Sequence, residues 1–466
     1  MRLRHFTSAR SIATRTSKTN PVRFWNRLQW RQNAPLAIPV VAGQVGHIAA
    51  SVADSVMVGR LGYIPLAAVS LANSILSVPL VFGIGMAYGL TPLVAHAHGQ
   101  RRKAKGQQLL KNAVVVNLAA AVVMTLMAYA MAWGAEQTGQ DPRVVEAYRA
   151  YFFVVSLSYL PFMFFMAGKQ YLEGMGQTTV PMRLSIIGNS LNIVLNALLI
   201  YGWFGFPEWG MTGAGIATLI ARVYMAGGMY LHLFRRGIID REVWTAARVT
   251  LFRVWALLKL GVPTGFQYIF EVSAFAISAW IIGTYGAEAL AAHQVAISLA
   301  SISYMAATGL GAAATIRIGQ YLGQRDHGAA REAATSLFTL TVLFMTFTGL
   351  AFLFGRNLFP VLYTDEVGVA RLAGQLLIVA TLFQISDGMQ ATALGALRGI
   401  QDVKVPTLFT FVAYYVVALP LEWVIGTYFN WGAVGVWIAL ALGLTLAAGG
   451  MTWRFYRRLA VLAKRG

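Results

Sequence analysis

Twelve stretches of the chain are apolar over about 20 residues each, the length of helix that crosses a hydrocarbon layer roughly 30 Å thick. They lie near 34–58, 66–97, 110–133, 148–170, 180–202, 210–234, 259–284, 290–318, 332–355, 372–397, 405–427 and 432–455. In lipid a backbone must pair its own N–H and C=O groups, so such runs admit only a bundle of spanning helices. Composition agrees, since 57% of the 466 residues are hydrophobic and only 12% charged, against about 25% charged in a water-soluble domain. The expected fold is all-α and integral to a membrane.

The formal charge of +20 would raise nucleic-acid binding in a soluble protein. Here the basic residues sort by loop. They crowd the N-terminal segment, the turns around Arg101–Lys111 and Arg235–Lys259, and the C-terminal tail, whereas the opposite loops hold only Arg60, Arg143, Arg149, Arg356 and Arg371. This is the positive-inside pattern, which places both termini in the cytoplasm and leaves no charge for nucleic acid to explain. A bacterial inner membrane is the expected location. The first 53 residues contain no acid and are rich in Arg, Ser and Thr up to about Trp25, which also suits a mitochondrial presequence. A basic cytoplasmic tail over 1–33 is the preferred reading because it continues the charge asymmetry of the other loops. Cysteine is absent, which removes disulfides, thiolate metal sites and cysteine nucleophiles together.

The chain is a duplication. A shift of 224 aligns Pro39 with Pro263, Gly59 with Gly283, Gly62 with Gly286, Leu66-Ala67-Ala68 with Leu290-Ala291-Ala292, and Gly99-Gln100-Arg101 with Gly323-Gln324-Arg325. A shift of 225 aligns Val180-Pro181 with Val405-Pro406, and 222 aligns Trp209-Gly210 with Trp431-Gly432. With six spans per unit both halves start on the same side, so they are parallel repeats with the site expected between them. The expected units are an N-lobe over 34–234, a C-lobe over 259–456 and a basic tail over 457–466. Between the lobes, Arg235, Arg236, Arg241, Arg248 and Arg253 alternate with Ile238, Trp244, Leu251 and Trp255. That spacing suits an amphipathic linker helix over 235–258 on the cytoplasmic surface.

Three carboxylates stand alone inside apolar windows: Asp54 between Arg31 and Arg60, Glu271 between Lys259 and Glu288, and Asp387 between Arg371 and Arg398. A charge at bilayer depth costs about 2.5–3.5 kcal/mol on translocon scales, so such residues face a polar interior and mark an ion or substrate path. Polar stripes accompany them. Gln44, His47, Ser51 and Asp54 share one helical face, as do Thr264, Gln267, Glu271, Ala274 and Ser278. The 224 shift pairs His47 with Glu271 and Asp54 with Ser278, so the lobes are built alike and charged differently. Ser185, Asn189, Asn192 and Asn196 form a row of polar groups too costly to leave against lipid, and Gln384 lies one turn before Asp387. Hydroxyl residues in such helices mostly serve close packing. His47 is equally consistent with packing, and Arg222, one turn after Thr218, needs an internal partner, either Asp54 or the Asn row. His96 and His98 lack nearby acids or Cys and make a poor metal site.

No phosphate-binding loop, zinc-protease motif or nucleophile elbow is present, so neither an ATP motor nor an enzyme finds support. The segments "SVADSVMVGRLG", "LAAVSLANS", "NIVLNALLIYG", "GMTGAGIAT", "FEVSAFAI", "LAAHQVAISLASI", "GAAATIRIGQYLG" and "QISDGMQATALGALRGIQDVKVP" together resemble the multidrug and toxic compound extrusion (MATE) family, in its NorM-like branch. The resemblance runs from about Trp30 to Tyr456. It implies two six-helix lobes forming a V-shaped transporter that exports cationic, often aromatic compounds in exchange for Na⁺ or H⁺, with no other cofactor or metal. It implies that Asp54 is the N-lobe acid with Asn192, Asn196 and Thr218 as neighbours, and that Glu271 and Asp387 are the C-lobe acids associated with cation binding. Gln44, His47, Asn189, Gln267 and Gln384 join the cavity from the stripes.

Oxygen-rich lining suits Na⁺ as well as a proton, and the sequence leaves the two open. Organic cations and membrane lipid are the expected partners, and the protein is expected to act as a monomer. Two alternatives remain: a lipid-linked oligosaccharide flippase, which would show a more cationic cavity, and an ion channel or receptor, which the short outside loops disfavour.

Overall fold

The computed structural model describes residues 27–139 and 141–465. Both readings of the basic segment before residue 27 lie outside the described residues. Twelve helical spans follow one another: α1 (Gln29–Gly59), α2 (Tyr63–Gly99), α3 (Lys103–Glu136), α4 (Pro142–Gly174), α5 (Thr179–Tyr201), α6 (Gly210–Arg235), α7 (Leu251–Gly283), α8 (Ala287–Gly323), α9 (His327–Gly355), α10 (Val367–Gly399), α11 (Lys404–Tyr428) and α12 (Gly432–Arg465). They match the twelve apolar windows, two of which (180–202 and 259–284) overrun their helices by one residue, and most run further, because helices continue past the hydrocarbon into polar ends such as Lys103–Lys111. The last of them carries the basic tail as helix.

Local chemistry sets the interruptions. Tyr88 and Gly89 break α2 four and three residues before Pro92, and Ser158 breaks α4 three residues before Pro161. A proline has no N–H for the carbonyl four residues back. In α11 two π-helical turns, Val412–Ala418 and Val424–Tyr428, flank a single α turn, Leu419–Trp423.

The duplication is written into the backbone. Positive φ recurs at matching places: Gly62 and Gly286 (118° and 114°), Arg101 and Arg325 (58° and 61°), Gly176 and Gln401 (84° and 61°), and Gly210 and Gly432 (both 53°). At Arg101 and Arg325 the left-handed turn needs no glycine, and the side-chain strain is tolerated twice.

Each lobe has its own core. In the N-lobe, Ala68, Ala72, Ala113 and Ala121 pack with Tyr148, Phe152 and Tyr159; in the C-lobe, Ala292, Ala296, Ala373 and Ala380 pack with Phe383, Tyr414 and Trp437. Small residues let the helices approach closely. Large apolar side chains such as Leu126, Phe347 and Leu382 face outward, and Tyr63, Trp133, Trp203, Trp280, Tyr428 and Trp431 ring the ends away from the termini, where aromatic residues favour the membrane interface.

Among the described residues the lobes meet towards the end that carries the termini. A Cβ on Gly89 would lie 2.7 Å from the Gly261 nitrogen, and one on Gly85 2.8 Å from the Gly265 Cα; Gly99 abuts Gln320 and Gly323 abuts His96. Arg317 of α8 is buried in this seam and donates to Gln29 (2.7 Å), Gln32 (2.7 Å) and Asn33 (3.2 Å) of α1. Towards the other end the facing residues Ser51, Ser70, Ser74 and Ser77 are exposed, so the lobes diverge as a V.

The linker differs from the expected helix over 235–258. Gly237 at φ 62° ends α6, and only Arg241–Ala246 is helical, capped by Asp240. Extended backbone at Ala247 and Thr250 then leads into α7. The segment docks on α3 instead of lying free: Lys111 donates to the Trp244 carbonyl at 2.8 Å, and the Thr250 N–H donates to Asn112 at 2.9 Å. Its arginines are split between the end of α6 (Arg235), the turn after it (Arg236), the short helix (Arg241), the extended stretch (Arg248) and α7 (Arg253), so they do not form one face.

Candidate functional site

In the N-lobe, Asp54 sits five residues before the end of α1, half-buried, opposite α5. Asn192 and Asn196 lie one turn apart on α5. Asn196 Nδ2 donates to Asp54 Oδ1; the Asn192 amide, in the orientation that satisfies both its ends, donates to the same oxygen at 2.9 Å and accepts from the Thr218 N–H at 3.3 Å. Amide donors are what a partly desolvated carboxylate requires. The centre opens into a cavity of about 250 Å³ lined by His47, Ser51, Asn73, Tyr151, Asn189 and Arg222. Arg222 shares this cavity but neither Asp54 nor the Asn row is its partner: it donates to Ser158 Oγ at 2.7 Å and lies 4.8 Å from the Phe162 ring centre. The break in α4 presents Ser158, so the guanidinium hydrogen-bonds a hydroxyl and not Asp54.

In the C-lobe, Glu271 of α7 and Asp387 of α10 line one cavity of about 390 Å³. Tyr304 of α8 donates to Glu271 Oε1 at 2.6 Å. Tyr88, Tyr268, Phe275 and Phe383 share the remaining wall with aliphatic residues such as Val81, Ile84, Val272 and Ile297, and Gln44 lines it from α1. Two acids beside aromatic rings can attract a cation with an apolar body, through charge and ring-face attraction together. Gln267 and Gln384 do not line it. Gln384 is fully buried and bonds Ser303 of α8 (2.7 and 3.0 Å), while Gln267 accepts from Arg398 at 3.4 Å.

Between the lobes, Tyr88 and Tyr268 stack with centroids 5.8 Å apart and planes at 7°. The Arg398 guanidinium lies 5.5 Å and 5.3 Å from the two rings. Beneath them is a small polar chamber reached by Glu271, Gln170, Glu173 and Arg398. Among the described residues no group of three His, Cys, Asp or Glu side chains could hold a metal ion.

Several of these residues carry no mark in the sequence. Tyr88, Tyr268 and Tyr304 are neutral aromatics in apolar windows, and Arg398 reads as one more cytoplasmic charge. Two further buried acids were detectable. Glu422 is the only charged residue between Lys404 and Arg454, and Glu173 is 3% exposed beside Lys169.

The MatE profile matches residues 39–198 and 263–424, one segment in each lobe. The chain is 33% identical over 436 residues to the multidrug resistance protein NorM of Photobacterium profundum, covering 91% of this chain and 94% of that one. It is 31% identical over 448 residues to a probable multidrug resistance protein NorM of Rhizobium meliloti, covering 92% and 94%. Among solved structures it is similar to an outward-facing multidrug resistance MATE family transporter of the MOP superfamily, with a TM-score of 0.86 at 20% identity over 94% of this chain and 97% of that one. The eukaryotic MATE transporter AtDTX14 gives 0.81 at 20% identity over 94% and 99%. On profile, identity and coverage alike, the chain belongs to the MATE family of membrane transporters.

Proposed function

We propose that the protein is a secondary antiporter that exports cationic amphipathic drugs or toxic organic compounds in exchange for Na⁺ or H⁺. The observation that carries this reading is the convergence of Glu271 and Asp387 on one aromatic cavity between two lobes closed at a single end. With the termini cytoplasmic, as the basic loops indicate, that cavity faces outward. The membrane is the bacterial inner membrane, the working unit a monomer, and the coupling ion the only cofactor.

The mechanism follows from shared acids. A cation on Glu271 and Asp387 neutralises the chamber and removes what an organic cation is attracted to, and the organic cation excludes the coupling ion in turn. Each ligand biases the same two-state equilibrium oppositely, which couples their movements. Tyr304 orients Glu271, and the Asp54 centre, held by two amides, acts as a separate N-lobe site. A flippase for a pyrophosphate-linked lipid fits poorly, because the chamber presents carboxylates where that substrate needs cations.

The test is dye efflux from proteoliposomes under an imposed Na⁺ or H⁺ gradient, with Asp54→Asn, Glu271→Gln and Asp387→Asn. Gradient-dependent efflux that falls in the Glu271 and Asp387 variants supports antiport. Gradient-independent efflux, or full activity in all three variants, contradicts it.

A further inference from the structure

Asp54 has a structural counterpart in the C-lobe, and the acid there sits on the other helix. Under the 224 shift Asp54 corresponds to Ser278 of α7. Ser278 Oγ is 2.8 Å from Glu422 Oε1 on α11, as Asp54 meets Asn196 on α5. The partner lies 144 residues on in one case and 142 in the other. The register between α5 and α11 is 225 at Val180 and Val405 but 226 at Asn196 and Glu422. One added residue is the difference between an i→i+4 and an i→i+5 turn, and the π turn Val412–Ala418 lies between those two points. That turn therefore rotates Glu422, rather than a neighbouring apolar side chain, to face Ser278.

Glu422 is fully buried, and its Oε2 has no partner. No ion pair reaches it among the described residues. Of the elements packed on it, α12 carries no charge before Arg454, and the charges of α7 are Arg253, Lys259 and, nearly two turns before Ser278, Glu271. The remaining titratable groups are Lys404 at the start of α11 and phenols: Tyr268 on α7, Tyr285 in the turn after α7, which bonds Thr427 at 2.8 Å, Tyr414, Tyr415 and Tyr428 on α11, and Tyr456 on α12. An ionised carboxylate without counter-charge is costly at this depth. The hydroxyl beside it can adapt where an amide cannot. Ser278 Oγ is also 3.0 Å from the Ala274 carbonyl. With a proton on Glu422, the acid donates to Ser278 and Ser278 donates to Ala274, so every hydrogen in the row is used. Asp54 faces fixed N–H donors, which suit a carboxylate.

We infer that Glu422 and Ser278 form a protonation centre in the C-lobe, at the place that the internal repeat gives the Asp54 centre in the N-lobe, that binds and releases a proton during the cycle. The inference rests on the antiport reading, and its ligand is a proton whichever cation occupies Glu271 and Asp387. The flanking π turns let α11 re-pair its backbone as it moves, which is how a sealed site reaches water. The last step of the exchange is simple: the O–H bond of Glu422 breaks, the proton leaves to water, and the electron pair stays on the carboxylate.

The experiment is infrared difference spectroscopy on the purified full chain on adding tetraphenylphosphonium, comparing wild type, Glu422→Gln and Ser278→Ala, alongside pH-dependent efflux of the same probe from proteoliposomes. A protonated-carboxyl band that changes with the probe, is missing in Glu422→Gln and is shifted in Ser278→Ala supports the centre, together with loss of the pH-dependent part of efflux in Glu422→Gln. A band that ignores the probe, or a Glu422→Gln protein with the wild-type pH profile, overturns it and leaves Glu422 a structural acid. If wild type moves no probe under any gradient, the antiport reading fails instead, and the infrared result still reports on the proton.

Discussion

Substituting Gly89 by Ala should move the transporter out of the closed-seam state. The added methyl would sit 2.7 Å from the Gly261 nitrogen, 2.9 Å from its Cα and 3.0 Å from the Leu257 carbonyl oxygen. All three are backbone atoms of α7, so no side chain can swing away. Overpacking of this kind costs about 1–3 kcal/mol, and the strain exists only while the lobes touch at this end. It therefore acts on the equilibrium between open and closed seams, changing their ratio by roughly 5- to 150-fold. The natural absence of cysteine offers a clean assay. A single cysteine at Ser74, exposed on the inner face of α2, reports the opposite opening through its rate of maleimide labelling. Labelling should slow markedly in Gly89→Ala and likewise in Gly261→Ala, whose methyl would meet the Met86 carbonyl oxygen at 2.5 Å. A folded Gly89→Ala protein labelled at the wild-type rate would refute the idea that this seam is half of an alternating gate.

Three other substitutions separate roles within the site. Tyr304→Phe removes the 2.6 Å bond to Glu271 and should weaken gradient-driven efflux roughly 10- to 150-fold, in line with about 1.5–3 kcal/mol for a bond to a charged group, while thermal unfolding shifts little. Asn196→Ala should impair both stability and transport, because Asp54 loses a buried donor; a neutral effect on the two would show that the amide does not hold the acid. Gln384→Leu should lower stability by about 1 kcal/mol, because Ser303 loses its bonds to the amide but keeps the Ala300 carbonyl at 2.8 Å, yet leave efflux by the folded protein intact. Loss of efflux at unchanged stability would return Gln384 to the cavity.

The spans, the duplication and the acids Asp54, Glu271 and Asp387 were legible because each rests on a local signal: apolar length, identity at a fixed shift, or a lone charge. What escaped depends on which face a helix turns to which neighbour. Gln384 shares a stripe with Asp387, but α10 is enclosed on several sides, so one end of that stripe meets Ser303 and only the other meets the cavity. Arg222 reads as a counter-ion until a break in α4 supplies Ser158. Glu422 meets the same lone-charge criterion as the other three, yet its polar partner is on another helix and its own neighbours, Leu421 and Trp423, are apolar, so no stripe announces it. The linker was misread for a physical reason also: alternation of Arg with apolar residues marks an amphipathic surface but not continuity of helix, and Gly237 and the extended stretch before Leu251 interrupt it.

The central claim is that coupling ion and organic cation contend for the chamber of Glu271 and Asp387. It is tested most directly by titrating tetraphenylphosphonium into the purified protein at a series of Na⁺ concentrations and pH values. The account predicts that Na⁺ or protons weaken probe binding, that the probe weakens binding of that same ion by an equal factor, and that both effects disappear in the double variant Glu271→Gln, Asp387→Asn. Probe affinity independent of both ions in the wild type would contradict it.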